Sequence, residues 1–131
     1  MRRSFLLPEI DTSFVESLSL PWETVIDGSG QWLLIQNFPV PLGYNLQFVS
    51  VALLIPPGYP VVQLDMAYFF PHLQRVDGRP IAALAAQQIE GKEFQRWSRH
   101  RTGENPWRPG IDDVSTHLSM VTSWFEKELK K

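Results

Sequence analysis

Cysteine is missing altogether from this sequence. Its absence excludes disulfides, thiolate zinc sites and a cysteine nucleophile in the chain as it stands. An excess of one charge is missing too. Lys and Arg number 12 and Asp and Glu 14, for a net charge of −2. That balance argues against a surface built wholly for nucleic acid or an acidic membrane. Long hydrophobic runs are also absent. The N-terminal run Phe5-Leu6-Leu7 is far short of the ~7–15 residues of a signal-peptide core. No stretch nears the ~18 apolar residues of a membrane span. A soluble, cytoplasmic protein with no membrane partner is expected. The histidines at 72, 100 and 117 lack metal-ligand spacing, so no metal site is expected.

What is present describes an ordinary globular chain. Of 131 residues, 44% are hydrophobic and 20% charged, enough to bury a core in one domain without staples. The expected domain is 1–131, with 1–7 as a flexible tail. Residues 8–19 read as a short helix, because Ile10, Phe14, Val15 and Leu18 recur at helical steps. Asp11 or Thr12 is its expected cap and Pro21 its stop. Residues 22–27 and 31–38 read as strands around the Gly28-Ser29-Gly30 turn. Residues 47–55 are rich in β-branched and aromatic side chains, as in a buried central strand. Residues 62–70 alternate as a fourth strand, closed by Pro71.

Four strands with short connections predict an antiparallel meander. Residues 81–101 show no clear period and read as irregular. The last element is a long helix. Ile111, Val114, Leu118, Val121, Phe125 and Leu129 share its face, with Trp124 beside it and His117 expected on the surface. Strands grouped and followed by helix predict an α+β fold.

Three short motifs extend the reading. Pro56-Pro57-Gly58-Tyr59-Pro60 halts the third strand, Phe69-Phe70-Pro71-His72 ends the fourth, and Trp107-Arg108-Pro109 precedes the last helix. In this order they resemble the ubiquitin-conjugating enzyme (UBC) superfamily: its "PxxYP" stop, the place of its His-Pro-Asn motif, and its "W-S-P". The segments LDMAYFFP, FQRWSRHR and NPWRPGIDD are similar to a bacterial branch, the prokaryotic family E type. The resemblance covers roughly residue 8 to the end.

The resemblance implies a UBC-like fold and a place in a bacterial ubiquitin-like modification pathway. It implies partners encoded nearby: a ubiquitin-like, even multi-ubiquitin, protein, a ThiF-type activating enzyme and a JAB-type protease. No cofactor is implied for this chain, since ATP belongs to the activating enzyme. In the superfamily the acyl group rides on a cysteine upstream of the tryptophan. Counted back from Trp107, that place falls at Ser98–Arg99, which implies Ser98 as the nucleophile. Three readings stay open: a natural serine forming an oxyester, a serine standing in for cysteine, and a variant that only binds.

A serine hydroxyl needs an adjacent base. His100 stands two residues on and would share a side with Ser98 in an extended segment. Asp112 or Asp113 is a candidate to orient the imidazole. The oxyanion donor has three candidates: His72, Asn105 or a backbone N–H. Residues 92–108 hold Lys92, Arg96, Arg99, Arg101 and Arg108 against Glu93 and Glu104, interleaved with Phe94, Trp97 and Trp107. The aromatics are expected to anchor the segment. Arg96, Arg99, Arg101, Asn105 and Trp107 are candidates for docking a ubiquitin-like tail or the activating enzyme. A non-catalytic adaptor is the alternative function, and a small RNA-binding or scaffold domain the next, although the net charge disfavours nucleic acid as a partner.

Overall fold

A computed structural model describes residues 1–131. The elements are α1 (Glu9–Ser17), β1 (Trp22–Asp27), β2 (Gly30–Pro39), β3 (Phe48–Ile55), β4 (Ala67–Phe70), β5 (Leu84–Ile89), β6 (Lys92–Trp97) and α2 (Val114–Leu129). The class is α+β. The strands form one antiparallel sheet in the order β1-β2-β3-β4-β6-β5.

The expectation of four strands is corrected to six. The segment read as irregular is a hairpin, β5–β6, turning at Glu90–Gly91. Both turn residues have positive φ, 53° and 76°, as a tight primed hairpin turn needs. Asn-Gly or Asp-Gly would have announced this turn, and Glu-Gly did not. The expected strand 62–70 shrinks to Ala67–Phe70, because Met66 takes a left-handed conformation (φ 57°) and interrupts it. Residues 1–7, expected as a flexible tail, run beside β1. Thr24 N–H donates to the Arg2 carbonyl (3.1 Å), Ser4 N–H donates to the Thr24 carbonyl (2.8 Å), and Leu7 is buried.

The core lies between the inner sheet face and the helices. Phe69, Trp97 and Phe125 are fully buried there and meet at ring separations of 5.2–5.5 Å, favourable tilted and edge-on contacts. Tyr44 joins them and donates its hydroxyl to the Phe125 carbonyl at 2.8 Å. The outer face carries a smaller cluster of Val25, Trp32, Ala52, Tyr68, Ile89 and Phe94. Some residues depart from the periodic expectation. Ile10, Phe48 and Ile111 are exposed, and Ile111 precedes α2 rather than lying on its face.

Capping also differs. The N-cap of α1 is Pro8, with no side-chain bond. Asp11 instead reaches α2, accepting from Val114 N–H (3.1 Å) and from the Tyr59 hydroxyl (2.6 Å). Asp113 caps α2 in a reciprocal box with Thr116. Thus α1, the Pro56–Pro60 stop and the start of α2 are tied at one carboxylate. Burial, partly offset by these two donors, pushes the Asp11 carboxyl above the ordinary carboxylate range.

Candidate active site

The site grows from the end of β6. Trp97 is the last ladder residue, fully buried against the core. Ser98 N–H donates to the Ala83 carbonyl (3.0 Å), and Arg99 N–H folds back to the Trp97 carbonyl (3.1 Å). That second bond closes a three-residue turn with Ser98 at its apex. The strand parity expected to align Ser98 with His100 therefore stops at Trp97.

A different residue organises His100. Its Nδ1 lies 2.9 Å and 3.2 Å from the two carboxylate oxygens of Asp65. Asp65 arrives through the register of the sheet. Ala67 pairs with Trp97 across β4 and β6, so two residues back along one chain meet the continuation of the other. The left-handed Met66 turn beside Asp65 is held from beneath by α2, where His117 Nε2–H donates to the Met66 carbonyl (2.8 Å). His117 is thus a correction to the surface expectation. It is 1% exposed, stacked edge-on to Trp124, and its Nδ1 has no partner. Burial pushes its pKa below the ordinary imidazole value, which keeps it neutral.

With Nδ1 held by a carboxylate, the other nitrogen of His100, Nε2, is the one free for proton transfer. The two aspartates expected to orient it, Asp112 and Asp113, are both engaged elsewhere. Asp113 caps α2. Asp112 is buried and accepts from Arg108 N–H at 2.8 Å, with Arg101 and Arg108 guanidinium nitrogens at 3.5 Å.

His72 is not brought to Ser98. It is exposed and lies against Glu93, 3.1 Å from that carbonyl and 3.3 Å from the carboxylate. Glu93 and Ser98 are five positions apart along β6, about 17 Å at strand rise. The docking candidates divide. Arg99 turns inward, 3.1 Å from buried Glu128, 5.0 Å over the Trp97 ring and 3.0 Å from the Ala82 carbonyl. Arg101 is nearly enclosed, paired to Asp112 and stacked 5.0 Å over Trp107. These two arginines brace the fold. Arg96 is half-buried between Tyr68 and Ala85. Asn105 donates to the Met120 sulfur (3.2 Å). Trp107 donates its indole N–H to the Pro60 carbonyl (2.9 Å), so the two proline motifs lock to each other.

Asp65 escaped sequence reasoning. The available signal was one carboxylate inside the apolar run LDMAYFF. Its partner could be found only by knowing that β4 pairs with β6.

The family model described as Prokaryotic E2 family E matches residues 7–128. The chain belongs to this family. The match spans α1, all six strands and nearly all of α2, so the Ser98–His100 segment and Asp65 lie inside it. Membership makes this an E2-like protein of a prokaryotic pathway, with a ubiquitin-like partner in general. No curated protein and no solved structure matches the chain. No helix is long and apolar enough to cross a membrane.

Proposed function

We propose that this E2-like protein has a UBC-like fold and carries the activated C-terminus of a ubiquitin-like protein as an ester on Ser98. The observation that supports it best is the Asp65–His100 pair two residues from the Ser98 turn. A ThiF-type enzyme would supply the acyl group after ATP-dependent activation, and a JAB-type protease would act in the same pathway. In the loading step Ser98 Oγ attacks the acyl carbonyl and its proton passes to His100 Nε2. The bond to the activating enzyme's leaving group breaks, and His100 returns the proton to that group. In the transfer step a target nucleophile attacks the ester carbonyl, Ser98 Oγ leaves, and the nucleophile's proton returns to Oγ through His100.

The developing oxyanion needs a donor. His72 and Asn105 are engaged with Glu93 and Met120, and Ser98 N–H is spent on Ala83. The His100 backbone N–H donates to no protein acceptor, and it takes this role in the proposal.

The test is covalent loading with the activating enzyme, processed ubiquitin-like protein and ATP, read by intact mass and peptide mapping. An alkali-labile, ATP-dependent adduct on Ser98 that vanishes in Ser98→Ala supports the carrier reading. Retained partner binding with no adduct overturns it in favour of an adaptor. Loading restored only by Ser98→Cys marks a disabled cysteine enzyme.

A further inference from the structure

The six-stranded sheet has two edges, and the chain covers one of them. Beside β1 lie residues 2–4, bonded to Thr24. Strand β5 pairs with β6 alone. The direction of its free backbone groups follows from one bond. Ser98 N–H donates to Ala83 O, which makes Ala83 and Ser98 a hydrogen-bonded pair in a register that continues through Ala85 with Arg96, Gln87 with Phe94 and Ile89 with Lys92. Antiparallel ladders alternate. Leu84, Ala86 and Gln88 therefore turn their N–H and C=O groups away from the sheet. Only the Gln88 carbonyl has a partner, the neighbouring Gln87 amide at 3.1 Å.

Protein edges are normally blunted by charge, proline or a bulge. β5 reads LAAQQI, with no charge and no proline, and its register with β6 is unbroken. Against its inner side opens a cavity of about 400 Å³, lined by Leu73, Ile81 and Leu84 together with His72, Arg75 and Arg79. A bare edge beside a pocket for alternate side chains is the arrangement that binds an extended peptide.

We infer that β5 docks the extended C-terminal tail of the protein whose carboxyl is transferred, added antiparallel as a further strand. The inference rests on the reading of Ser98 as acyl acceptor. Every strand pair of this sheet is antiparallel, and a strand added in the same sense has the polarity of this occupant. β5 starts beside Ser98, at the bonded Ala83, and runs away from it to Ile89. An antiparallel tail runs the other way, so its carboxyl end arrives at the Ser98 end of the sheet. The tail would lie two strand spacings from β6, about 10 Å, a gap that about three extended residues cross. The strand itself carries no charge, so it contributes backbone bonds and side-chain fit, and Arg79 at the cavity beside it is the nearby cation.

The test uses the full chain and an acetylated hexapeptide of alternating valine and threonine with a free carboxylate, bearing a nitroxide near its C-terminus. In amide-resolved NMR at millimolar peptide, the Leu84, Ala86 and Gln88 amides should gain exchange protection. The nitroxide should broaden Ser98 and Arg99. Ala86→Pro removes one outward N–H and leaves the bonds to β6 intact, since an edge strand tolerates proline there. It should weaken binding about tenfold with an unchanged melting temperature, and Ala86→Lys should do likewise.

Absence of protection, or broadening at Glu90–Gly91 instead, overturns the inference. So does concentration-dependent self-association through β5, which would make a second copy the occupant. Covalent loading separates the two proposals. Ser98 adducts formed equally well by wild type and Ala86→Pro overturn the edge and leave the carrier. Edge protection with no Ser98 adduct overturns the carrier and leaves an edge that binds peptides.

Discussion

Replacing Asp112 should loosen the segment that carries His100 into α2. The Asp112 side chain is 2% exposed and serves three donors: Arg108 N–H at 2.8 Å, and the Arg101 and Arg108 guanidinium groups at 3.5 Å. Burial alone would raise its pKa, but these donors outweigh it and hold the carboxyl below its ordinary value. In Asp112→Ala the charge-assisted backbone bond is lost, worth about 1.5–3 kcal/mol. Arg101, with 6% of its side chain exposed, is left without its carboxylate. A broken buried pair costs about 3–5 kcal/mol, and the long 3.5 Å contact puts this one well below that range. The sum is about 3 kcal/mol, or roughly 10 °C in Tm for a domain of this size.

Urea denaturation followed by tryptophan fluorescence, and calorimetry, measure it. Asp112→Asn should lose about half as much, since the amide oxygen still accepts from Arg108 N–H. The pH dependence has a definite sign. A carboxylate whose pKa is lowered by folding contributes stability above its unfolded pKa and loses it as pH falls through the folded one. The acid limb of the stability curve should therefore flatten in both variants. Unchanged midpoints, or an unchanged acid limb, would refute the assignment of Asp112 as the clamp of this loop.

Other outcomes follow from the same contacts. His100→Ala should slow Ser98 loading about 10²-fold, and Asp65→Asn less, while neither changes stability by more than about 1 kcal/mol because the pair is solvent-facing; loading rates and melting curves measured together check this. His117 is buried neutral, so its contribution is complete above the ordinary histidine pKa of about 6.5 and is lost as pH falls toward the lowered folded value. Urea midpoints between pH 7 and 5 should fall less steeply in His117→Gln than in the wild type. Ser98→Ala should leave the fold intact, because its structural bond is through the backbone, and circular dichroism will show whether it does.

Parts of this molecule can be read along the chain because they depend on neighbours in sequence. The long helix follows from apolar spacing over Val114, Leu118, Val121 and Phe125, and all four are buried. The β1–β2 hairpin follows from the Gly28-Ser29-Gly30 turn, and the α+β class from the grouping of elements. The short motifs were sufficient to point to the family that the match over residues 7–128 establishes. The absence of cysteine was visible at once, and it frames the question that Ser98 now poses.

The tertiary structure decided what depends on residues far apart. β5 and β6 were hidden because their turn uses Glu90 and the alanines of β5 carry no strand signal. Arg99 and Arg101 looked like a docking surface because every exposed cation resembles every paired one in sequence. Their partners, Glu128 and Asp112, stand 29 and 11 residues away. Asp65 meets His100 across 35 residues, and no local pattern encodes that meeting. Burial and pairing are properties of the assembled sheet and helix. Composition and periodicity specify which surfaces must be hidden, and only the register of β4 against β6 decides which charges come to lie together.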